Sequence, residues 1–447
     1  MYMKRIKYIK SFLLSLFTLF SLSPIFINTS CKVQKLDGDS YKINDVKKHD
    51  GSDWYGVLEG KFNDKQYKID ENNKTITYIG CTDLIAVNLI IPNNVKYKEN
   101  IYAVFLGDNC FNLATKIRGN LMLNSNISYI PTRCFYFCYI DSIYLNSYLY
   151  QINDFAFYEC LGLNYIYVNS SVLNNNWLAY VSYLGDYAFY NCILQDMTLV
   201  FSPNIQYLGS HCFENCFGIY DVYFHEVCEI EELLDRTFYN CSSLRYLHLS
   251  SNIKKIHDEC FALCSRITNI QFDNPIHDLI ILSKAFWDCD NLQGFTNNCN
   301  FSIIGEQAFY QCSKLSFPVT CFYNTTGFQA YSFYKCIRLF KLKFYPNSKQ
   351  QNQVVYSKTF VDCSNIDIID FSEYDNVPSW FDTDIYGRTQ PSTNVFASSG
   401  REVAKYSQKG TIYIPGDLND VDYHKWLLFL ERIGLDVINW KIVQQIN

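Results

Sequence analysis

The chain is 447 residues long, 49% hydrophobic and 18% charged, which supplies apolar material for a large core and excludes disorder as its overall state. Its net charge is −6, its lysines are scattered, and no basic run follows the N-terminal segment, so no nucleic-acid partner is expected. Tyrosine (37) and phenylalanine (34) are both abundant, and only the phenylalanine excess is explained by the pattern described below.

Lys4, Arg5, Lys7 and Lys10 precede an apolar run from Phe12 to Ile27, and Asn28-Thr29-Ser30-Cys31 follows. A basic region, an apolar region and small residues before a cut site make a secretory signal, read here as residues 1–30. The small residues ahead of Cys31 also resemble a lipoprotein box, in which Cys31 is acylated and becomes the mature N-terminus; Asn28 departs from the aliphatic residue such a box carries. Residues 31–53, rich in Lys, Asp, Gly and Ser, then read as a lipid-anchored flexible tether on the outer face of a membrane. Two alternatives stay open: release after ordinary cleavage, and an uncleaved helix, for which the Pro24-containing run is short against the ~20 residues needed to span.

Residues 54–104, with strand-like Gln66-Tyr67-Lys68-Ile69 and Thr75-Ile76-Thr77-Tyr78-Ile79, read as an N-terminal cap. From 105 to 373 one unit recurs: an aliphatic residue or Phe, four residues of which the last is small, a phenylalanine, and a cysteine three positions on. Eleven phenylalanines align, Phe111, Phe135, Phe157, Phe189, Phe213, Phe238, Phe261, Phe286, Phe309, Phe333 and Phe360, at spacings of 24, 22, 32, 24, 25, 23, 25, 23, 24 and 27 residues. Cysteine follows ten of them (Cys138, Cys160, Cys192, Cys216, Cys241, Cys264, Cys289, Cys312, Cys336 and Cys363), with Ala114 in the first unit. A period in the low twenties marks a leucine-rich-repeat solenoid, whose units stack because none can bury its apolar side alone.

The second half of each unit alternates apolar and polar residues, as in Leu244-x-x-Leu247-x-Leu249 and Leu163-x-x-Ile166-x-Val168, and predicts a strand. Stacked in register, these strands are expected to form one parallel sheet on the inner, concave side. The Phe-x-x-Cys stretch is expected to be a short helical or 3₁₀ turn across from it, with the eleven phenylalanines as a buried spine. The fold class predicted is therefore an α/β leucine-rich-repeat solenoid of about 11 repeats with a cap at each end.

The segment Ile304-Gly305-Glu306-Gln307-Ala308-Phe309-Tyr310-Gln311-Cys312-Ser313-Lys314-Leu315 resembles the BspA-like class of leucine-rich repeats. The resemblance covers about residues 56–373, with Ile91-Pro92 and Tyr102-Ala103-Val104 as the lead-in segment. It implies a bacterial surface protein of lipoprotein type that binds host proteins, an expectation drawn from fold analogy.

The long step between Phe157 and Phe189 marks an insertion, Asn169 to Ser182. Its Trp177 is a contact candidate if it protrudes, and a packing residue if it tucks against its own repeat. Residues 374–447 read as a C-terminal cap, with a strand at Thr411–Pro415 and an amphipathic helix from about Asp420 to Arg432 lying over the last repeat through Trp426, Leu427 and Leu430.

Nineteen cysteines in an exported chain would ordinarily suggest disulfides, but fourteen occupy two fixed repeat positions and no pairing is singled out. They read as buried thiols that pack as small hydrophobes and donate weakly to loop carbonyls; Cys81, Cys228, Cys299 and Cys321, off the ladder, are the better disulfide candidates. Cys-Phe-x-x-Cys pairs such as Cys134/Cys138 offer only two of the four ligands structural zinc needs. No phosphate loop, His-Glu-x-x-His, Gly-x-Ser-x-Gly or calcium loop is present, so neither catalysis nor a cofactor is expected.

The outward strand positions carry Tyr144, Tyr167, Thr198, Tyr223, His248 and Gln271, with Tyr165, Asp221 and Tyr246 beside them. A tyrosine stripe on a rigid sheet suits protein contact, because Tyr brings large amphipathic area with few rotors to freeze. It also fits simple cross-strand stabilisation. The reading reached is a surface-exposed, non-catalytic protein-binding module, an adhesin contacting host or matrix proteins through the concave face at Tyr144, Tyr165, Tyr167, Tyr223, Tyr246, His248 and Trp177. The alternative is a structural coat that associates with itself, and an enzyme is the third.

Overall fold

The computed structural model describes residues 42–49, 53–59, 67–80, 86–97, 100–146, 149–168, 176–296, 299–316, 325–346, 354–383, 388–400 and 409–445. The signal segment, Cys31, Cys81, Cys321 and the first part of the insertion lie outside them. The chain winds into a solenoid whose rungs combine a short strand and a phenylalanine-centred turn with, in most of the described rungs, a longer strand.

Among the described residues the longer strands stack in parallel in three sets rather than in one sheet. One set comprises Ala86–Ile90, Ile117–Met122, Tyr139–Leu145 and Tyr165–Val168; a second runs from Met197–Phe201 through Ile219–Phe224, Tyr246–Leu249 and Asn269–Phe272 to Gly294–Phe295; a third joins Lys341–Lys343, Ile368–Asp370, Gly410–Pro415 and Trp440–Gln445. The aliphatic residues ahead of each turn form a second line of strands that the sequence pattern did not reveal. Tyr129–Ile130, Gln151–Ile152, Tyr183–Leu184 and Tyr207–Leu208 pair in one ribbon, and six more, from Glu232–Leu233 to Val354–Val355, pair in another. Strands of two to four residues leave little alternation to read, yet the apolar residue ahead of the turn, Ile130, Ile152 or Leu184, is buried in every rung.

The expected helical or 3₁₀ turn does not form. In every unit the residues two before and two after the phenylalanine are left-handed, with φ between 50° and 66°, as at Arg133 and Phe137 or Tyr331 and Lys335. This alternation sends every second N–H out of the rung. Phe135 N–H donates to the Ala156 carbonyl of the next rung at 2.8 Å while Cys138 N–H closes back on its own Phe135 at 3.1 Å. A helix would keep all these bonds within itself and leave the rungs joined by side chains alone. Left-handed non-glycine residues cost on the order of 1–3 kcal/mol each, and the inter-rung backbone bonds offset that strain. Among the described residues the helical part of the α/β class is thus confined to Asp420–Arg432.

Inside, the eleven phenylalanines stack with centroids 5.0–5.6 Å apart and ring planes within 16° of parallel. Each is at most 1% exposed, worth roughly 1.5–3 kcal/mol of burial. A twelfth ring, Phe396, continues the stack 5.1 Å from Phe360. Asn394 and Ser398 around it are left-handed, and Phe360 N–H donates to Val395 O at 2.8 Å. One more turn therefore lies within the segment read as the C-terminal cap.

The helix Asp420–Arg432 closes that end. It begins at Asn419, whose side chain accepts from the Asp422 N–H, and buries Trp426, Phe429 and Leu430; Leu427, expected on that face, is only half-buried. Its terminal carbonyls take the N–H groups that would otherwise point past the last turn, Asn394 to Arg432 at 3.1 Å and Phe396 to Ile433 at 2.9 Å. At the N-terminal end a six-stranded sheet includes the hairpin Tyr67–Asp70/Thr75–Tyr78. It also takes in Lys42–His49, paired antiparallel with Asp53–Glu59. That strand falls within the segment read as tether: polar composition does not prevent a strand when a neighbour supplies the backbone partners.

Candidate surface sites

The ladder cysteines have one job throughout. The Sγ of Cys138 donates to the carbonyl of Phe111 at 3.1 Å, and the same contact, at 2.9–3.2 Å, repeats in each later rung to Cys363 and Phe333. Each acceptor carbonyl already takes the N–H three residues on in its own rung, that of Ala114 for Phe111 and of a cysteine for the rest, so the thiol fills the second lone pair. The first unit has no preceding phenylalanine carbonyl, which is why Ala114 suffices there. All ten are free and buried. Burial pushes the Cys138 and Cys264 thiols up to about 12, and the others upward as well. Burial keeps them protonated at neutral pH, which makes them poor nucleophiles. Cys228, off the ladder, is likewise free and buried. Among the described residues no group of three or more His, Cys, Asp or Glu is arranged to hold a metal ion.

On the longer-strand face the predicted tyrosines form two clusters rather than one stripe. Tyr144 pairs in register with Tyr167, their rings stacked at 5.0 Å, and Tyr165 lies 6.1 Å from Tyr167. Tyr165 is exposed and Tyr144 and Tyr167 half-buried. Burial, then the neighbouring phenols, raises the Tyr167 pKa. The second cluster belongs to the next sheet: Tyr223 pairs with His248 and Asp221 with Tyr246. Tyr246 is 57% exposed, and the His248 imidazole sits 6.0 Å from the Tyr223 ring and 3.2 Å from the Asp273 carboxylate. Burial raises the pKa of Asp273, opposed by His248.

Between the clusters the sheet is interrupted, and the Tyr165 hydroxyl reaches across to the Gln195 side chain at 3.1 Å. A register shift at Met197 corrects one assignment: Val200, not Thr198, pairs with Tyr223, and Thr198 lies opposite Asp221. Trp177 is corrected too. It is 5% exposed and packs edge-on against Phe189 at 5.4 Å, so it belongs to the core and not to a contact surface.

The turn face carries a larger set of side chains that sequence reading missed. Residues two before and one after each phenylalanine point there, and they stack between rungs: Tyr136 on Tyr158 at 4.8 Å, Tyr158 on Tyr190 at 4.7 Å, Phe155 on Tyr187 at 5.0 Å and Tyr187 on His211 at 4.3 Å. The middle rungs replace rings by ions. Arg236 holds Glu259 at 2.5 Å and Glu214 at 3.7 Å, and Lys284 reaches Glu259 at 3.6 Å. Rings resume with Tyr310 on Tyr334 at 4.5 Å. A signal was available: Tyr follows Phe directly in six of the eleven aligned units, beginning with Phe135-Tyr136, and this accounts for part of the tyrosine excess.

Solenoid, spine and thiol ladder together define a leucine-rich-repeat protein. The family described as BspA type leucine rich repeat region matches in six copies, over residues 104–184, 164–292 and 279–381, and the chain belongs to it. Among solved structures it is similar to a leucine-rich repeat protein from Bacteroides ovatus, at 17% identity over 85% of this chain and 98% of that one, with a TM-score of 0.46. It is similar also to a leucine-rich cell surface protein from Faecalibacterium prausnitzii (16%, 70% and 95%, 0.37) and to the pneumococcal vaccine antigen PcpA (13%, 93% and 98%, 0.41). No curated protein matches the sequence.

Proposed function

We propose that the protein is a surface-exposed, non-catalytic binding module of adhesin type that contacts host or matrix proteins through its longer-strand face. The observation that carries this reading is the pairing of exposed Tyr165 and Tyr246 with the half-buried rings of Tyr144, Tyr167 and Tyr223 on a backbone held rung to rung by hydrogen bonds. Such rings are pre-ordered, so binding freezes few rotors. The test is a pull-down with the mature chain without its anchor residue, residues 32–447, against purified surface and matrix proteins; a saturable partner competed by soluble protein supports the reading, and none across the set sinks it.

Anchoring belongs to the same proposal. No helix of the described residues is long and apolar enough to cross a membrane, and acylated Cys31 would provide attachment. Cys31→Ser should move the protein out of the detergent phase or leave an uncleaved precursor. Unchanged maturation and partition in that variant would remove the lipid anchor from the account.

A second reading, self-association, is favoured by one feature: among the described residues Trp440–Gln445 is the terminal strand of its sheet, and a strand edge can pair with another copy. Light scattering across concentration separates the two, since an adhesin acting alone keeps a constant mass.

A further inference from the structure

On the turn face, away from the tyrosine clusters, an open depression of about 530 Å³ runs over four successive rungs. Its walls include Tyr310, Tyr331, Tyr334 and Lys358, with Gln307 and Asn394 at its ends. The rings of Tyr331 and Tyr334 meet nearly at right angles, 75° with centroids 5.9 Å apart. Lys358 Nζ stands 5.4 Å from the Tyr331 centroid and Lys335 Nζ 5.2 Å from that of Tyr334. Elsewhere on this face Arg236 and Lys284 are neutralised by Glu214 and Glu259. Lys358 lines the depression and Lys335 stands beside it over the ring of Tyr334; both are exposed and make no ion pair among the described residues, although Asp362 also lines the depression.

We infer that this depression binds an acidic saccharide. Two ammonium groups steadied over rings present positive charge to a carboxylate or sulfate. Half-buried Tyr331 and Tyr334, whose ring faces already carry Lys358, Tyr310 and Lys335, present ring edges and hydroxyls to a sugar, and the amides of Gln307 and Asn394 and the Asp362 carboxylate can bond its hydroxyls. The backbone favours a saccharide over an acidic peptide. Gln307, Gln311, Phe333 and Lys335 already spend their N–H groups on Ala330, Tyr334, Thr359 and Val361 of the next rung. A peptide adding itself as a strand finds no open edge there, whereas a ligand recognised by side chains alone needs none. The rungs are spaced 5.0–5.4 Å apart at the spine, close to the step between sugars of an extended chain, so successive sugars would meet successive rungs. The site stands independently of the tyrosine clusters.

The test is calorimetric titration of the mature chain with hyaluronan and heparin octasaccharides, with neutral chitohexaose and poly-glutamate as comparisons. Binding of at least one acidic octasaccharide, weakened by added salt and lost at least tenfold in Lys335→Gln/Lys358→Gln, is expected, with chitohexaose at least tenfold weaker. The two octasaccharides distinguish a carboxylate from a sulfate preference. Both lysines are exposed, so the double variant should keep its melting temperature, and Tyr144→Ser/Tyr167→Ser/Tyr223→Ser should titrate as wild type. Binding of neither acidic octasaccharide, unchanged affinity in the lysine variant, or equal affinity for poly-glutamate would overturn the inference.

Discussion

Ser399 donates its hydroxyl to the carbonyl of Phe360, one rung back, in the position where ten earlier rungs use a cysteine thiol. The requirement at this position is therefore a small buried donor, and sulfur meets it by geometry and not by redox chemistry. Cys264→Ser should cost no more than about 1 kcal/mol, since the bond to the Phe238 carbonyl is kept. Cys264→Val, which loses the donor and crowds the turn, should cost about 1–3 kcal/mol. Urea unfolding of the two variants checks the order, and a serine variant less stable than the valine one would refute it.

Alkaline pH should destabilise the fold steeply. The folded thiols lie above their ordinary value of 9.0, Cys138 and Cys264 at about 12, because burial disfavours the thiolate. Their contribution is therefore complete below pH 9 and lost as pH rises toward the folded value, since only the unfolded chain releases the protons in that window. Each thiol should withdraw about 1.4 kcal/mol per pH unit there. Urea midpoints between pH 8 and 11 should fall for wild type and fall less steeply for Cys264→Ala. Equal slopes would show that the ladder thiols do not carry the effect.

The spine should be intolerant of truncation. Phe213 is fully buried between Phe189 at 5.4 Å and Phe238 at 5.6 Å. Phe213→Ala should cost about 3–5 kcal/mol, from lost burial and the cavity left behind. In a solenoid, where each rung contacts only its neighbours, the loss should concentrate in adjacent rungs. Hydrogen exchange resolved by peptide checks this: faster exchange centred on residues 184–240 is expected, and uniform change along the chain would contradict it.

The period of the phenylalanines, the buried aliphatic residues and the longer strands were legible because side-chain type sets them directly. The turn conformation was not. Its left-handed positions mix Asn191, Asn215, Asn240 and Asp288, which tolerate a positive φ, with Arg133, Tyr187 and Lys358, which do not advertise one, and the force that selects it is backbone bonding between rungs far apart in sequence. The twelfth turn was hidden by the change from Cys to Ser at 399, and Val200 by a shift at Met197 that leaves the alternation intact. Trp177 was undecided because an insertion carries no period, and only its packing on Phe189 settles which way it faces.

Affinity of Tyr144→Ser/Tyr167→Ser/Tyr223→Ser for a protein partner identified with the mature chain, measured beside its thermal unfolding, tests the central claim most directly. Stacked aromatic pairs such as Tyr144 with Tyr167 contribute about 0.5–1.5 kcal/mol beyond burial, so the triple variant should melt within a few degrees of wild type. The account predicts that it no longer binds while remaining folded; a folded triple variant that binds with wild-type affinity would contradict recognition through the longer-strand face.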